Sequence, residues 1–220
     1  MIKKENHISI LNFKGWIKSL NISRTYLLIS ILFFSFAGVM NYFSGKYVDN
    51  IYLSPDLILD NIPVFNIGAY FVWGIFITIG FFLLYPLLFR FEMFCYSFNQ
   101  LSFLVIIRNI FIVLTPLQYR LEAAAVTFPW PINSWNFDND LFFSGHVAIP
   151  FLGFLIFKDS KVRYVFLGLT FLMALVTILT HRHYSIDIFA APFIAYSCYK
   201  LFDFILIKTK LTKFFGKGKN

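Results

Sequence analysis

Runs of about twenty apolar residues recur along this chain, the length a helix needs to cross a hydrocarbon core of roughly 30 Å. From Tyr26 to Phe43 no charge interrupts the sequence, and mainly apolar runs, the third and sixth with charges inside them, cover about 67–89, 109–128, 141–157, 164–180 and 184–207. Of 220 residues, 59% are apolar and 14% charged, against about 25% charged in soluble domains. The mean hydropathy is +0.71. A water-soluble core cannot hide that much apolar surface in so short a chain. The expected fold is therefore an all-α polytopic membrane bundle of six transmembrane helices, with both termini cytoplasmic. It divides into a basic amphipathic segment at 1–24, a six-span membrane domain at 25–207 and a basic tail at 208–220.

The net charge of +8 is unevenly placed. Lys3, Lys4, Lys14, Lys18, Arg24, Arg90, Lys158, Lys161, Arg163 and the tail lysines flank one side of the proposed spans. Lys46, Arg120 and Arg182 flank the other. The positive-inside rule makes the first side cytoplasmic, where attraction to anionic lipid headgroups follows from the same charge. No aromatic-basic groove for nucleic acid is visible, so nucleic acid is not an expected partner. Segment 1–24 interleaves its lysines with Ile8, Leu11, Phe13, Trp16 and Leu20, as a surface helix or a basic tail would. The first run reads as a retained signal anchor, since no small-residue cleavage site ends it. Segment 91–107, with Glu92, Asn99 and Gln100, reads as an interfacial connector or the lower part of a helix, and Arg108 as the cytoplasmic edge of the third span. That span ends at Pro129 in one placement and near Leu117 in the other, which leaves Arg120 in a loop. Trp130 and Trp135 read as interface anchors, and Cys95 and Cys198 as core residues.

Two polar motifs stand at the mouths of apolar runs: Ser144-Gly145-His146 and His181-Arg182-His183-Tyr184-Ser185-Ile186-Asp187. Charge counting puts both on the non-cytoplasmic face. An ionisable residue at a membrane helix is costly and so points to function. His183 and Asp187 are spaced to share one helix face, so the carboxylate can hold one imidazole nitrogen and leave the other to attack. With His146 the set contains a nucleophile, an orienting acid and a proton donor for phosphoryl transfer through a phospho-histidine. Ser144 suits an N-cap and Gly145 lets backbone approach a ligand, at the kind of helix start that attracts phosphate oxygens. Arg120 and Arg182 are candidate phosphate clamps, Arg120 the stronger because it lies in the drier position; Arg182 equally suits an interfacial cation. Asp140 can orient a histidine or simply solvate a loop. No metal-ligand spacing, Gly-x-Ser-x-Gly elbow or phosphate-binding glycine loop is present, and no cofactor is expected.

At these residues the chain resembles the type 2 phosphatidic acid phosphatase superfamily, and more closely its sphingomyelin synthase-related branch. The resemblance rests on Asp140 ahead of Ser144-Gly145-His146 and on the second motif in the form His-x-His-Tyr-[Ser/Thr]-x-Asp. Softer matches are Arg108, Phe111, Ile112, Thr115, Tyr119 and Arg120 in an upstream helix, and Pro55-Asp56 with Asp60 in the first loop. It covers roughly 53–200. Arg182 departs from the Asp of the synthases. Val176 and Thr177 stand where the phosphatases carry Ser-Arg, and the phosphatase Lys-x6-Arg-Pro motif is missing. The resemblance implies that His183 is the nucleophile, Asp187 its partner, and His146 the group that protonates the departing alcohol and deprotonates the acceptor. It implies a membrane phospholipid donor and either a lipid alcohol such as ceramide or diacylglycerol, or water, as acceptor. The first case is a lipid phosphotransferase and the second a lipid phosphate phosphatase. A non-catalytic transporter or scaffold is the reading from another class, and the paired histidines disfavour it.

Overall fold

A computed structural model describes residues 24–47, 53–130 and 141–208. The proposed amphipathic segment, apart from Arg24, lies outside these residues, as do Trp135, Asp140 and the tail beyond Lys208. The described residues form six α-helices and no strand: α1 (Arg24–Tyr47), α2 (Gly68–Phe89), α3 (Phe91–Leu114), α4 (Gly145–Ile156), α5 (Val162–Leu179) and α6 (Ser185–Lys208). Five of them, all but α4, are long and apolar enough to cross a membrane.

The third helix takes the second of the two readings of 91–107 and corrects the placement of Arg108. It begins at Phe91, so 91–107 is the body of a helix and not a connector, and Arg108 lies within the helix and does not mark its edge. Asn99 and Gln100, which made the segment look interfacial, face protein and not lipid. Asn99 Nδ2 donates to Ser30 Oγ of α1 at 2.6 Å and to the Cys95 carbonyl at 2.6 Å. Gln100 Nε2 donates to Tyr96 Oη at 3.0 Å, and Tyr96 in turn donates to Asp203 of α6 at 2.6 Å. The amide N–H groups of Asn99 and Gln100 are paired inside the protein, while both side-chain carbonyl oxygens are buried without a partner. The helix stops at Thr115 because Pro116 cannot continue it. The shorter placement is thus the one adopted, with Arg120 in the connection that follows.

The fourth run is also shorter than expected. Residues 141–144 are not helical, and α4 has 12 residues, about 18 Å at 1.5 Å per residue, too short to span alone. It is instead the centre of the molecule. Val147, Ala148 and Leu152 are almost completely buried, and α4 packs on α5 and α6, with α2 and α3 also touching it. Gly153 permits the α5 approach: a Cβ there would lie 2.5 Å from the Phe166 ring. α1 is outermost, docked on α3 and parallel to it through Ser30–Asn99 and the 3.1 Å Ser44–Asn109 bond. Its other face, including Leu28, Leu32 and Phe43, is exposed, as lipid-facing side chains are. α3 and α5 therefore end, and α2, α4 and α6 begin, at one end of the bundle, where both motifs lie.

Candidate active site

The two motifs are stitched together through backbone. The Ser144 N–H donates to the Asp187 carbonyl at 3.1 Å, which sets the start of α4 against the first turn of α6. Ser144 is extended and occupies the N-cap of α4, but its hydroxyl makes no capping bond. That Oγ is buried without a hydrogen-bond partner, as are His146 Nε2 and Asp187 Oδ1. Unsatisfied polar atoms gathered in this way are costly in an apolar interior unless a ligand or ordered water completes them.

His183 and Asp187 meet, though not across a helix face. His183 lies in the turn before α6, and Asp187 is in its first turn. Asp187 Oδ2 accepts the Tyr184 N–H at 2.9 Å and stands 3.5 Å from His183 Nδ1. The carboxylate thus caps the helix from within while facing the imidazole. At 3.5 Å the two groups face each other without a made hydrogen bond. The His146 ring lies 6.0 Å from the His183 ring between centroids, and Phe71 of α2 stacks on His146 at 3.7 Å. One imidazole is therefore backed by a carboxylate and the other by an aromatic face.

Arg108 is the residue that reading the chain as spans placed elsewhere. Its Nε donates to the Phe143 carbonyl at 2.7 Å, and a Cβ at Gly145 would lie 3.5 Å from that nitrogen. The guanidinium therefore sits against the start of α4, beside Ser144. A charge inside an apolar helix was the signal available in the sequence. Arg182 is engaged by the Tyr119 ring, 5.5 Å from its centroid. Arg120 is ion-paired to Asp60 at 2.7 Å and to Glu122, so two carboxylates already meet it. Asp140 lies outside the described residues.

A second residue without an assigned role is Asp56, which is buried. Its carboxylate accepts the Ser185 N–H at 2.6 Å, the Ser185 hydroxyl at 2.5 Å, and the Ile58 and Leu59 amides at 3.0 and 3.1 Å. Burial pushes this carboxyl up, but the Ser185 hydroxyl and the three amides more than offset that and hold it below the ordinary aspartate value. Asp60 is held low by the Asp56 amide and by Arg120, and Glu122 by its own amide and Arg120. His181 is buried in a left-handed backbone conformation (φ 55°), and burial, then Arg120, pushes its imidazole down. Among the described residues no group of three His, Cys, Asp or Glu is placed to hold a metal ion.

The arrangement offers a carboxylate-backed imidazole, a second imidazole across a short gap, and a guanidinium at a helix start. These are parts for nucleophilic attack, proton transfer and anion binding. Compared with protein-family models and with curated proteins, the chain matches none.

Proposed function

We propose that this chain is an integral-membrane lipid phosphotransferase that moves a phosphate-bearing headgroup from a phospholipid to a lipid alcohol through a phospho-histidine. The observation that carries the reading is the pair of imidazoles with centroids 6.0 Å apart, one of them 3.5 Å from a buried carboxylate. The resemblance to the sphingomyelin synthase-related branch supports the same chemistry. His183 Nε2 attacks phosphorus while Asp187 steadies the charge that forms on the ring. His146 protonates the departing lipid oxygen, and the same nitrogen then deprotonates the acceptor hydroxyl, which takes the phosphoryl group from His183. Ser144, Gly145 and Arg108 bind the phosphate oxygens as charge shifts onto them. Arg182 is suited to bind the headgroup at the mouth.

The stacking of His146 on Phe71 favours a lipid alcohol over water as acceptor, because the acid-base group then lies on an apolar wall. With water in that place the same steps give a lipid phosphate phosphatase. The basic ends of the helices favour a cytoplasmic location for the opposite face and a non-cytoplasmic active site. The test is incubation of the purified protein with labelled phospholipid, with and without ceramide or diacylglycerol. A new labelled lipid that depends on the added alcohol is expected. Release of free headgroup phosphate alone establishes the hydrolase, and neither product in any lipid defeats both.

A further inference from the structure

Asp56 is distant in sequence from both histidine motifs, yet its carboxylate binds the residue midway between His183 and Asp187. The Ser185 N–H and hydroxyl reach it across 129 residues at 2.6 and 2.5 Å, and two amides of its own segment complete it. A helix is ordinarily capped by the side chain of its N-cap residue. Here Tyr184 precedes α6, and its hydroxyl is used elsewhere, accepting the Ser54 N–H at 3.2 Å and donating to the Gln118 carbonyl at 2.8 Å. The Asp56 carboxylate takes the first N–H of α6 from outside, beside the Asp187 carboxylate that takes the Tyr184 N–H. It is anchored in turn: Asp60 accepts the Asp56 N–H at 3.0 Å and pairs with Arg120.

The consequence falls on the catalytic pair. His183 sits in the non-helical turn before Ser185 and Asp187 in the turn after it, with 3.5 Å between Nδ1 and Oδ2. At that separation a few tenths of an ångström decide whether the hydrogen bond is made. Whatever fixes Ser185 fixes where α6 begins, and hence that separation. We propose that Asp56 is a positioning residue: by holding the amide and hydroxyl of Ser185 it sets the His183–Asp187 geometry without touching substrate. The proposal rests on the reading of His183 as the phosphate-accepting imidazole.

The experiment uses the full chain, labelled with 15N-histidine, in lipid nanodiscs, as parent, Asp56→Asn and Ser185→Ala. Ser185→Ala removes the hydroxyl contact alone and serves where Asp56→Asn fails to fold. The imidazole 15N shifts of His183 should move in both variants. Turnover should fall about 10- to 100-fold, the scale of a misplaced reacting group, with KM within about twofold, a loss confined to the transition state. The double variant should fall little further than either single one, because both cut one contact. A purely structural role would lower the melting temperature yet leave the His183 shifts and the turnover of folded protein unchanged. That result overturns the proposal. If the parent transfers no headgroup, the reaction proposed above falls, and the His183 shifts alone decide the positioning role.

Discussion

His183 and His146 differ in what stands behind them, and the difference should be measurable. A lipid alkoxide leaves phosphorus badly unless protonated, so in the proposed reaction attack by His183 on a natural donor would need His146 as acid. A nitrophenyl phosphodiester needs that acid far less. On such a donor His146→Ala should still form acid-labile phospho-protein, His183→Ala should form none with any donor, and Asp187→Asn should form it slowly. Label that survives in His183→Ala and disappears in His146→Ala would reverse the roles; no label in any variant or in the parent would favour direct in-line transfer. The arginines divide in the same way. Arg120 was the stronger clamp by position along the chain, but Asp60 and Glu122 hold it, whereas Arg108 lies against the start of α4. Arg108→Ala should cost roughly 10- to 100-fold in kcat/KM, the scale of one charge-assisted contact at about 1.5–3 kcal/mol. Arg120→Ala should chiefly lower thermal stability. Equal loss of activity at equal folded fraction would return Arg120 to the phosphate.

Among the elements, two close approaches of backbone carry the frame of the site. Gly68 opens α2 so tightly against the 120–130 connection that a Cβ would lie 2.2 Å from the Ala125 carbonyl oxygen. At Gly153 the obstacle is the ring of Phe166, 2.5 Å away. A ring can rotate and a carbonyl cannot, so Gly68→Ala should destabilise more than Gly153→Ala, which itself should cost about 1–3 kcal/mol as overpacking. Melting in detergent would order the two, and the opposite order would mean that the loop yields more easily than the α4–α5 seam. The same comparison of local and distant causes explains what could be read from the chain. α1, α2 and α5 follow from apolar runs free of internal charge, and α6 from a long apolar run that carries Asp187, Lys200 and Asp203. α3 was misplaced because Asn99 and Gln100 look like interface until their partners on α1 and α6 are known. α4 was overextended because apolarity cannot show that 141–144 is spent on a backbone bond to Asp187. His146, His183 and Asp187 were legible as chemistry at the mouths of helices. Asp56 is legible as part of a motif but its partner is not, since nothing local to a loop carboxylate names an amide 129 residues away.

For the whole molecule, the question with the largest consequence is which end faces the cytoplasm. The end opposite the histidines carries Arg90, Lys158, Lys161, Arg163, Lys200 and Lys208, with Asp159 and Asp203 as its described acids. The histidine end carries Lys46, Arg108, Arg120 and Arg182 against Asp56, Asp60, Glu122 and Asp187, and Arg120 is already paired. Orientation follows the lysine and arginine bias of short flanking segments, so the histidine end should be extracytoplasmic. The chain is suited to a direct test because Cys95 and Cys198 are both buried and should give little background with a polar maleimide. Leu57, at the histidine end, is 86% exposed, and Lys161, in the turn between α4 and α5, is exposed at the other. In intact cells a membrane-impermeant maleimide should react with Leu57→Cys and spare Lys161→Cys; permeabilising the cells should add Lys161→Cys. The reverse pattern would invert the bundle, put His146 and His183 before the cytoplasmic lipid pool, and require donor and acceptor to be sought there.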